Sequence, residues 1–200
     1  MFKTMSALML LQGASATYSE GACPAYTSVK NLDVKQYMGQ WYEIAKDKKI
    51  VYEIGAECTT AHYTLRDDGD VNVTNRARYW YYLNNYYSVK GKLRCDVSDS
   101  ECRVAFFGKS VEGVANYKVL ATDYDNFTLI YNCTPSGKGK NEILWLLSRE
   151  NTLDATIFAK VKENMTRVLP SYDFDSRTEY STQNKNCKYT WEAEMGSTMF

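Results

Sequence analysis

YMGQWYEIAKDKK, residues 37–49, sets a glycine close to a tryptophan at the start of a run with strand character. Glycine inside a strand weakens it and usually marks a tight bend or a close approach of two backbones. Gly39 and Trp41 therefore predict a strand, Gln40–Asp47, that begins where the chain turns sharply.

Seven more runs rich in Val, Ile, Thr, Tyr and Phe follow, separated by Gly, Asn, Asp and Ser. DDGD, at residues 67–70, is a hairpin signal between two of them. Eight strands joined in order, without helices between them, indicate an antiparallel up-and-down barrel or a sandwich. The seven predicted strands are Glu57–Leu65, Asp70–Tyr79, Tyr86–Arg94, Cys102–Phe107, Ala115–Thr122, Phe127–Cys133 and Glu142–Ser148.

The hydrophobic period then changes from two residues to that of a helix. Asn151 or Thr152 is the expected N-cap, and Pro170 ends the helix. The polar tail after it is expected to add one short strand around Thr178–Gln183. The apolar stripe of the helix consists of Leu153, Ile157, Val161, Met165 and Val168.

Composition restricts the class of protein. The 200 residues suit one domain with a sizeable core, with 44% hydrophobic and 24% charged residues. Lys and Arg number 24, and so do Asp and Glu, so the net charge is zero. Without a basic surplus to bind phosphates, we expect no nucleic-acid partner.

The N-terminus has the pattern of a secretory signal. One lysine precedes a short apolar stretch, and Ala14-Ser15-Ala16 fits a signal peptidase site. We predict that residues 1–16 are removed, leaving a single domain at residues 17–200 in the extracellular space, with no membrane span. The alternative is a disordered cytosolic N-terminus.

The six cysteines favour secretion. Their even number predicts a disulfide framework, for which 15 pairings exist. Four N-x-S/T sequons, at Asn72, Asn126, Asn132 and Asn164, also suit a secreted chain, with Asn72 and Asn126 the predicted glycosylation sites. No C-x-x-C occurs and His62 is the single histidine, so we expect no metal site.

Three segments carry a family resemblance. Gly39-x-Trp41, Thr122-Asp123-Tyr124 and Arg149 after the last strand resemble the three signature segments of the lipocalins, most closely those of apolipoprotein D and the insect bilin-binding proteins. This resemblance, which runs from Cys23 to Cys187, implies an all-β, eight-stranded antiparallel up-and-down barrel with one C-terminal α-helix packed outside. It also implies that Trp41 plugs the closed end with Arg149 across its ring, a cation–π contact.

The resemblance also implies a disulfide pairing. Cys23 would pair with Cys133, and Cys58 with Cys187. Cys95 and Cys102 are left over and flank a short turn, so we expect them to form a third bridge.

Alternation along the strands assigns the residues that face a ligand. With Arg149 pointing at Trp41, Trp145 and Leu147 face inward, and His62 faces outward. An aromatic wall with few polar groups is typical of a small-molecule site, although the same rings would fill a solid barrel equally well. The predicted ligand-binding residues, assigned by alternation and by the resemblance, are Tyr63, Asn75, Tyr79, Phe106, Lys118, Trp145 and Leu147.

Lys118 departs from the aromatic residue that the resemblance implies at an inward position near the mouth. Its ammonium would pair with a carboxylate on the ligand, such as a fatty-acid head group or a bilin propionate. The alternative is that it extends to solvent at the rim.

The segment RYWYYLNNYYS, residues 78–88, is expected at the open end and holds six aromatic residues. They would form a lid over a ligand or a surface for a partner or a second copy, or simply pair across the two strands.

The leading functional hypothesis is a secreted carrier of one small hydrophobic molecule: a bilin, fatty acid, retinoid or carotenoid. No cofactor is required, although a chromophore such as biliverdin is a candidate ligand. The alternatives are a protein-interaction or homo-oligomeric role of the aromatic mouth and, third, a lipid-modifying enzyme. We expect no enzymatic activity, because a thiol mechanism needs an unpaired cysteine.

Overall fold

The computed structural model describes residues 17–48 and 50–189, and within them eight antiparallel strands close into a barrel. Each strand pairs with the next along the chain, and the last pairs with the first, which closes the barrel. The predicted fold is confirmed. The barrel strands are β2 (Gly39–Asp47), β3 (Ala56–Leu65), β4 (Val71–Tyr79), β5 (Asn85–Asp96), β6 (Glu101–Phe106), β7 (Tyr117–Thr122), β8 (Phe127–Ser136) and β9 (Gly139–Ser148).

Two short strands extend the sheet beyond the barrel. β1 (Thr17–Glu20), which the sequence did not predict, pairs with the start of β9, and β10 (Thr178–Tyr180) pairs with the end of β2. The predicted signal segment, residues 1–16, lies outside the described residues. β10 confirms the short strand expected in the tail.

Three α-helices accompany the barrel in the described residues: α1 (Val34–Tyr37), α2 (Ala155–Val168) and α3 (Phe174–Arg177). The predicted N-cap of α2 is wrong by a few residues, because Asp154 accepts from the Thr156 N–H at 2.8 Å and caps the helix. Val161, Met165 and Val168 pack on the outer face of the barrel, against a cluster that includes Leu144 and Leu146. The helix therefore lies outside, as predicted.

The glycine at the start of β2 has the role that its position suggested. Gly39 has φ of +93°, in a region that side chains with a Cβ avoid, and a Cβ there would lie 3.4 Å from Arg149 Nη1. The chain can thus enter the barrel directly above the arginine.

Three disulfides join the chain to itself with the expected pairing. Cys23–Cys133 ties the N-terminal arm to β8, and Cys58–Cys187 ties the tail to β3. Cys95–Cys102 joins neighbouring strands β5 and β6. All six cysteines are bonded.

A bulge in β2 changes which residues face the interior. β2 pairs with β9 through Glu43 and Leu147, and then through Ala45 and Leu146, with Ile44 as the extra residue. The side chains beyond the bulge are therefore one residue out of phase with simple alternation. Lys46, paired with Trp145, thus faces into the barrel.

Candidate functional site

The closed end of the barrel is sealed by Trp41 and Arg149. Trp41 is fully buried, and the Arg149 guanidinium carbon lies 3.7 Å from the centroid of its ring. Arg149 also donates to the carbonyl oxygens of Gln36, Gln40 and Tyr124 at 2.7–3.0 Å. The arginine thus joins three segments of chain beneath the ring, as the predicted contact required.

Thr122 and Asp123 hold the turn that supplies one of those carbonyls. Thr122 Oγ1 donates to the Phe127 carbonyl at 2.8 Å, and Asp123 Oδ1 accepts from the N–H groups of Asn126 and Phe127. Their contacts are all with the turn itself, so these two residues serve the scaffold.

A cluster of hydroxyl groups lies above Trp41. Tyr117 Oη is 2.8 Å from Tyr37 Oη and 3.0 Å from Tyr63 Oη, and Thr128 Oγ1 is 3.1 Å from Tyr37 Oη. Tyr63 faces inward, as alternation predicted, but it is only 3% exposed. In this structure it belongs to the packed lower half of the barrel.

The upper half of the interior is packed less completely. Phe106, Trp145 and Val104 join the interior cluster but stay partly accessible, and so does the inward Asn75. Leu147, lower on β9, is buried. Side chains that point into a closed barrel and still meet solvent line open space, so the accessible interior lies in the upper half.

The inward position predicted for Lys118 is wrong. Its neighbours Tyr117 and Val119 both belong to the interior cluster, so Lys118 faces outward. Its Nζ lies 4.9 Å from the centroid of Tyr26, whose hydroxyl donates to Glu101 at 2.5 Å. Lys118 is 8% exposed, so it does not extend to solvent at the rim either. The assignment was one residue out of phase.

A charged cluster that the sequence did not predict occupies the mouth. Lys46 Nζ lies 3.2 Å from Glu53 Oε2 and 3.7 Å from Glu43 Oε1, and it donates to the Glu53 carbonyl at 3.1 Å. Trp145 Nε1 donates to Glu53 Oε1 at 3.2 Å. We call Glu43, Lys46, Glu53 and Trp145 the mouth cluster. Lys46 escaped prediction because the bulge that turns it inward leaves no signal in the sequence, whereas Glu43, two residues after Trp41 and before the bulge, follows simple alternation.

Burial sets the protonation of the mouth cluster. It raises the pKa of Glu43 to about 8, with the Glu53 carboxylate adding to the effect and the Lys46 ammonium opposing it. Burial alone would lower the pKa of Lys46, but the carboxylates of Glu43 and Glu53 outweigh it and raise that pKa. At neutral pH the cluster therefore holds a charged Lys46 and a neutral Glu43.

The loop between β2 and β3 brings Glu53 to the mouth. Ile50 is buried against Ile143 and Trp145 inside the barrel, and the 3₁₀ turn Val51–Glu53 follows it. The Tyr79 hydroxyl donates to the Tyr52 carbonyl at 3.4 Å, which places Tyr79 at the rim. We call residues 50–55 the lid.

Aromatic rings surround the lid. Tyr79, Tyr81, Tyr82 and Tyr87 contact one another at centroid distances of 4.6–6.3 Å. Trp80 is 61% exposed and Leu83 88% exposed. Tyr86 differs, because its ring lies under the Arg76 guanidinium and its hydroxyl accepts from the Lys188 N–H. The expected aromatic rim is therefore present, without Tyr86.

Other predicted groups lie away from the interior. His62 alternates with the inward Ala61 and Tyr63, so it faces outward, as predicted. Asn72 and Asn126 are exposed, and their glycosylation stays a prediction. Asn132, in contrast, faces inward beside Ile143.

Residues 17–48 and 50–189 contain neither a metal-binding cluster nor a helix suited to cross a membrane. No group of three or more His, Cys, Asp or Glu residues there is arranged to hold a metal ion. None of the helices in that part of the chain has the length and apolar character needed to cross a bilayer.

Comparisons with known proteins agree with this architecture. A family model described as a lipocalin-like domain matches residues 32–179. Mouse apolipoprotein D is 30% identical over 190 residues, which cover 94% of this chain and 95% of the relative. The outer membrane lipoprotein Blc of Escherichia coli K12 is 32% identical over 202 residues, covering 96% and 100%. Insecticyanin from the tobacco hornworm Manduca sexta, a solved structure, superposes with a TM-score of 0.75 at 24% identity, covering 92% of this chain and 95% of its own.

Proposed function

We propose that this chain, which belongs to the lipocalin family, is a secreted carrier that holds one small hydrophobic molecule in the upper half of its barrel. The main support for this proposal is that side chains in the lower half of the interior are buried, whereas inward side chains in the upper half stay accessible. Trp41, Tyr63 and Tyr117 are buried below, whereas Phe106 and Trp145 point inward above and stay accessible. Aromatic walls with a few polar groups suit a small apolar ligand.

Secretion is supported by the disulfides. The chain holds three disulfides, two of which join segments 110 and 129 residues apart, and such bonds persist in an oxidising compartment. Expression of the full chain in a secreting cell tests this part of the proposal. We expect protein in the medium whose N-terminus lies near residue 17, and unprocessed protein inside the cell would contradict it.

As a carrier, the protein has no catalytic role and requires no cofactor. All six cysteines are bonded and His62 faces outward, so neither supplies a nucleophile or a base to the interior. The candidate ligands are a retinoid, a carotenoid, a fatty acid and a bilin such as biliverdin. The visible absorption spectrum of the native purified protein separates the coloured candidates from the colourless ones.

A titration with Nile red, an uncharged apolar dye, tests the carrier function. We expect one dye per chain, bound about tenfold more weakly by Phe106→Ala, because that variant removes part of the wall. Tyr180→Ala is the matched control, since Tyr180 is an exposed aromatic residue on the outer strand β10. No saturable binding, or equal weakening by both variants, would contradict the proposal.

The exposed mouth favours a second candidate function, binding to a protein partner or to a second copy of this chain. Ile54, Trp80 and Leu83 are exposed at the open end, and large exposed apolar patches mark interaction sites. Measurement of mass in solution for the wild type and for Trp80→Ala tests it. Assembly that the variant loses while dye binding persists would favour this role, and a monomeric wild type would contradict self-association.

A further inference from the structure

The charged side chains inside the upper barrel restrict the class of ligand that can bind there. We infer that the barrel selects apolar molecules whose polar end donates hydrogen bonds and carries no negative charge, and that the carboxyl oxygens of Glu43 and Glu53 receive that end. The inference rests on the proposed carrier function and narrows the class of ligand.

Lys46, the cation that faces into the upper barrel, already has partners within the protein. Among the lysines and arginines of residues 17–48 and 50–189, the strand pairings place Lys46 inside the upper barrel, whereas Arg149 lies beneath Trp41 at the closed end. Lys46 is buried, with two carboxylates within 3.7 Å and a hydrogen bond to the Glu53 carbonyl. It is therefore not free to pair with a ligand carboxylate.

Among the groups around Lys46, hydrogen-bond acceptors outnumber the donors that are available to them. Glu43 approaches on the same strand, Glu53 from the lid, and Glu179 is the residue opposite Lys46 on β10. The nearby donors are in use, because Ser181 Oγ donates to Glu43 and Trp145 Nε1 to Glu53. Two carboxyl groups thus contact one ammonium, and a third lies on the neighbouring strand.

Two amide oxygens add to this excess. Asn75 and Asn132 face inward on β4 and β8, and their Oδ1 atoms are buried without a hydrogen-bond partner. Buried acceptors left unpaired are unfavourable, so the interior is suited to a ligand that brings donors. Neither oxygen offers anything to a carboxylate.

The protonation state of Glu43 predicts that some ligands release a proton when they bind. Burial and the neighbouring Glu53 raise the pKa of Glu43 to about 8, so the empty barrel holds it as a neutral acid that donates to Glu53. A bound ammonium favours the carboxylate form and lowers that pKa. Binding of an amine at pH 7 should therefore release a proton, whereas binding of an alcohol should not.

Three ligands with one tail test the inference: decylamine, decan-1-ol and decanoate, each titrated at pH 7 in competition with Nile red. We expect the amine to bind at least tenfold more tightly than decanoate, with the alcohol between them. Calorimetry in two buffers of different ionisation enthalpy measures the released proton.

The variant Glu43→Gln/Glu53→Gln, which keeps the side-chain shapes, should remove the preference for the amine and free Lys46 to bind decanoate. Glu163→Gln, on the exposed face of α2, is the matched control and should leave all three affinities unchanged. Retained binding of decan-1-ol shows that the double variant is folded.

Different results would contradict the carrier function and the inferred class of ligand. Decanoate binding as tightly as the amine, or an unchanged order in the double variant, would overturn the inference while the carrier function stands. Failure of all three ligands and of the dye to bind would overturn the carrier function, and the inference with it.

Discussion

Lys46 Nζ lies 3.2 Å from Glu53 Oε2, so one ion pair joins the wall of the barrel to the lid across its mouth. Glu43 approaches the same ammonium at 3.7 Å. The strength of this contact depends on its burial, because an exposed pair contributes little to stability whereas removing one partner of a buried pair is costly.

Lys46→Met should therefore destabilise the protein strongly. The variant leaves Glu53 in the mouth without its ion-pair partner, and we expect a loss of about 3 kcal/mol at pH 7. Urea unfolding measures it. Lys90→Met, at an exposed position of β5, is the control and should change the stability by less than about 0.5 kcal/mol. Equal effects of the two variants would show that the ion pair contributes nothing.

Glu43 should make stability fall as the pH rises. Its pKa is about 8 in the folded protein and near 4.5 in the unfolded chain, so the folded state binds more protons between these values. Its contribution is complete below pH 4.5 and is lost as the pH passes 8. The slope for one proton is at most about 1.4 kcal/mol per pH unit.

Glu43→Gln isolates this contribution. The lowered pKa of the half-buried His62 acts in the opposite direction below pH 6.5, so the clearest window is pH 6.5–8. Urea unfolding at several pH values should give a flatter profile for the variant than for the wild type there. Parallel profiles would contradict the assignment of a neutral Glu43.

Arg149→Ala should weaken the closed end. The variant loses three hydrogen bonds to backbone carbonyls and the contact with the Trp41 ring, for which we expect a loss of about 2–3 kcal/mol. Arg167→Ala, at the exposed end of α2, is the matched control. Hydrogen exchange of α1 adds a local readout, since the Gln36 carbonyl loses its partner. Unchanged exchange there would contradict the role given to Arg149.

Gly55→Ala should disturb the lid more than its backbone strain alone explains. Gly55 and Gly69 both have positive φ, +74° and +84°. A Cβ at Gly55 would lie 2.5 Å from Trp80 Nε1, whereas one at Gly69 would meet nothing within 4 Å. The strain costs about 1 kcal/mol at each position. We expect only Gly55→Ala to cost more and to shift the fluorescence of Trp80, and equal effects would show that the lid does not pack against that ring.

The scaffold was predictable from the sequence, and the site only in part. Gly39, Trp41 and Arg149 mark the family because signature residues in this order and at these strand positions form a specific pattern, although the contact between Trp41 and Arg149 joins distant parts of the chain. Alternation also placed Trp145 correctly, since β9 is regular near it, whereas it left open whether Phe106 or Phe107 faces inward. The disulfides followed from the resemblance, and the structure contains all three.

Lys118 and Lys46 show where the prediction failed. A strand has two faces, so a register error of one residue reversed the face of Lys118. The bulge at Ile44 has the same effect on Lys46, and bulges arise from pairing with another strand. Glu53 reaches the mouth through the path of the lid, which alternation along a strand does not describe.

The crystal structure of the protein soaked in 10-bromodecan-1-ol tests the central claim most directly, because the anomalous signal of bromine locates the ligand. The account predicts one molecule inside the upper barrel, with its hydroxyl at the carboxylates of Glu43 and Glu53 and its tail against Phe106. Bromine found only on the outer surface, with the interior filled by protein side chains, would contradict it.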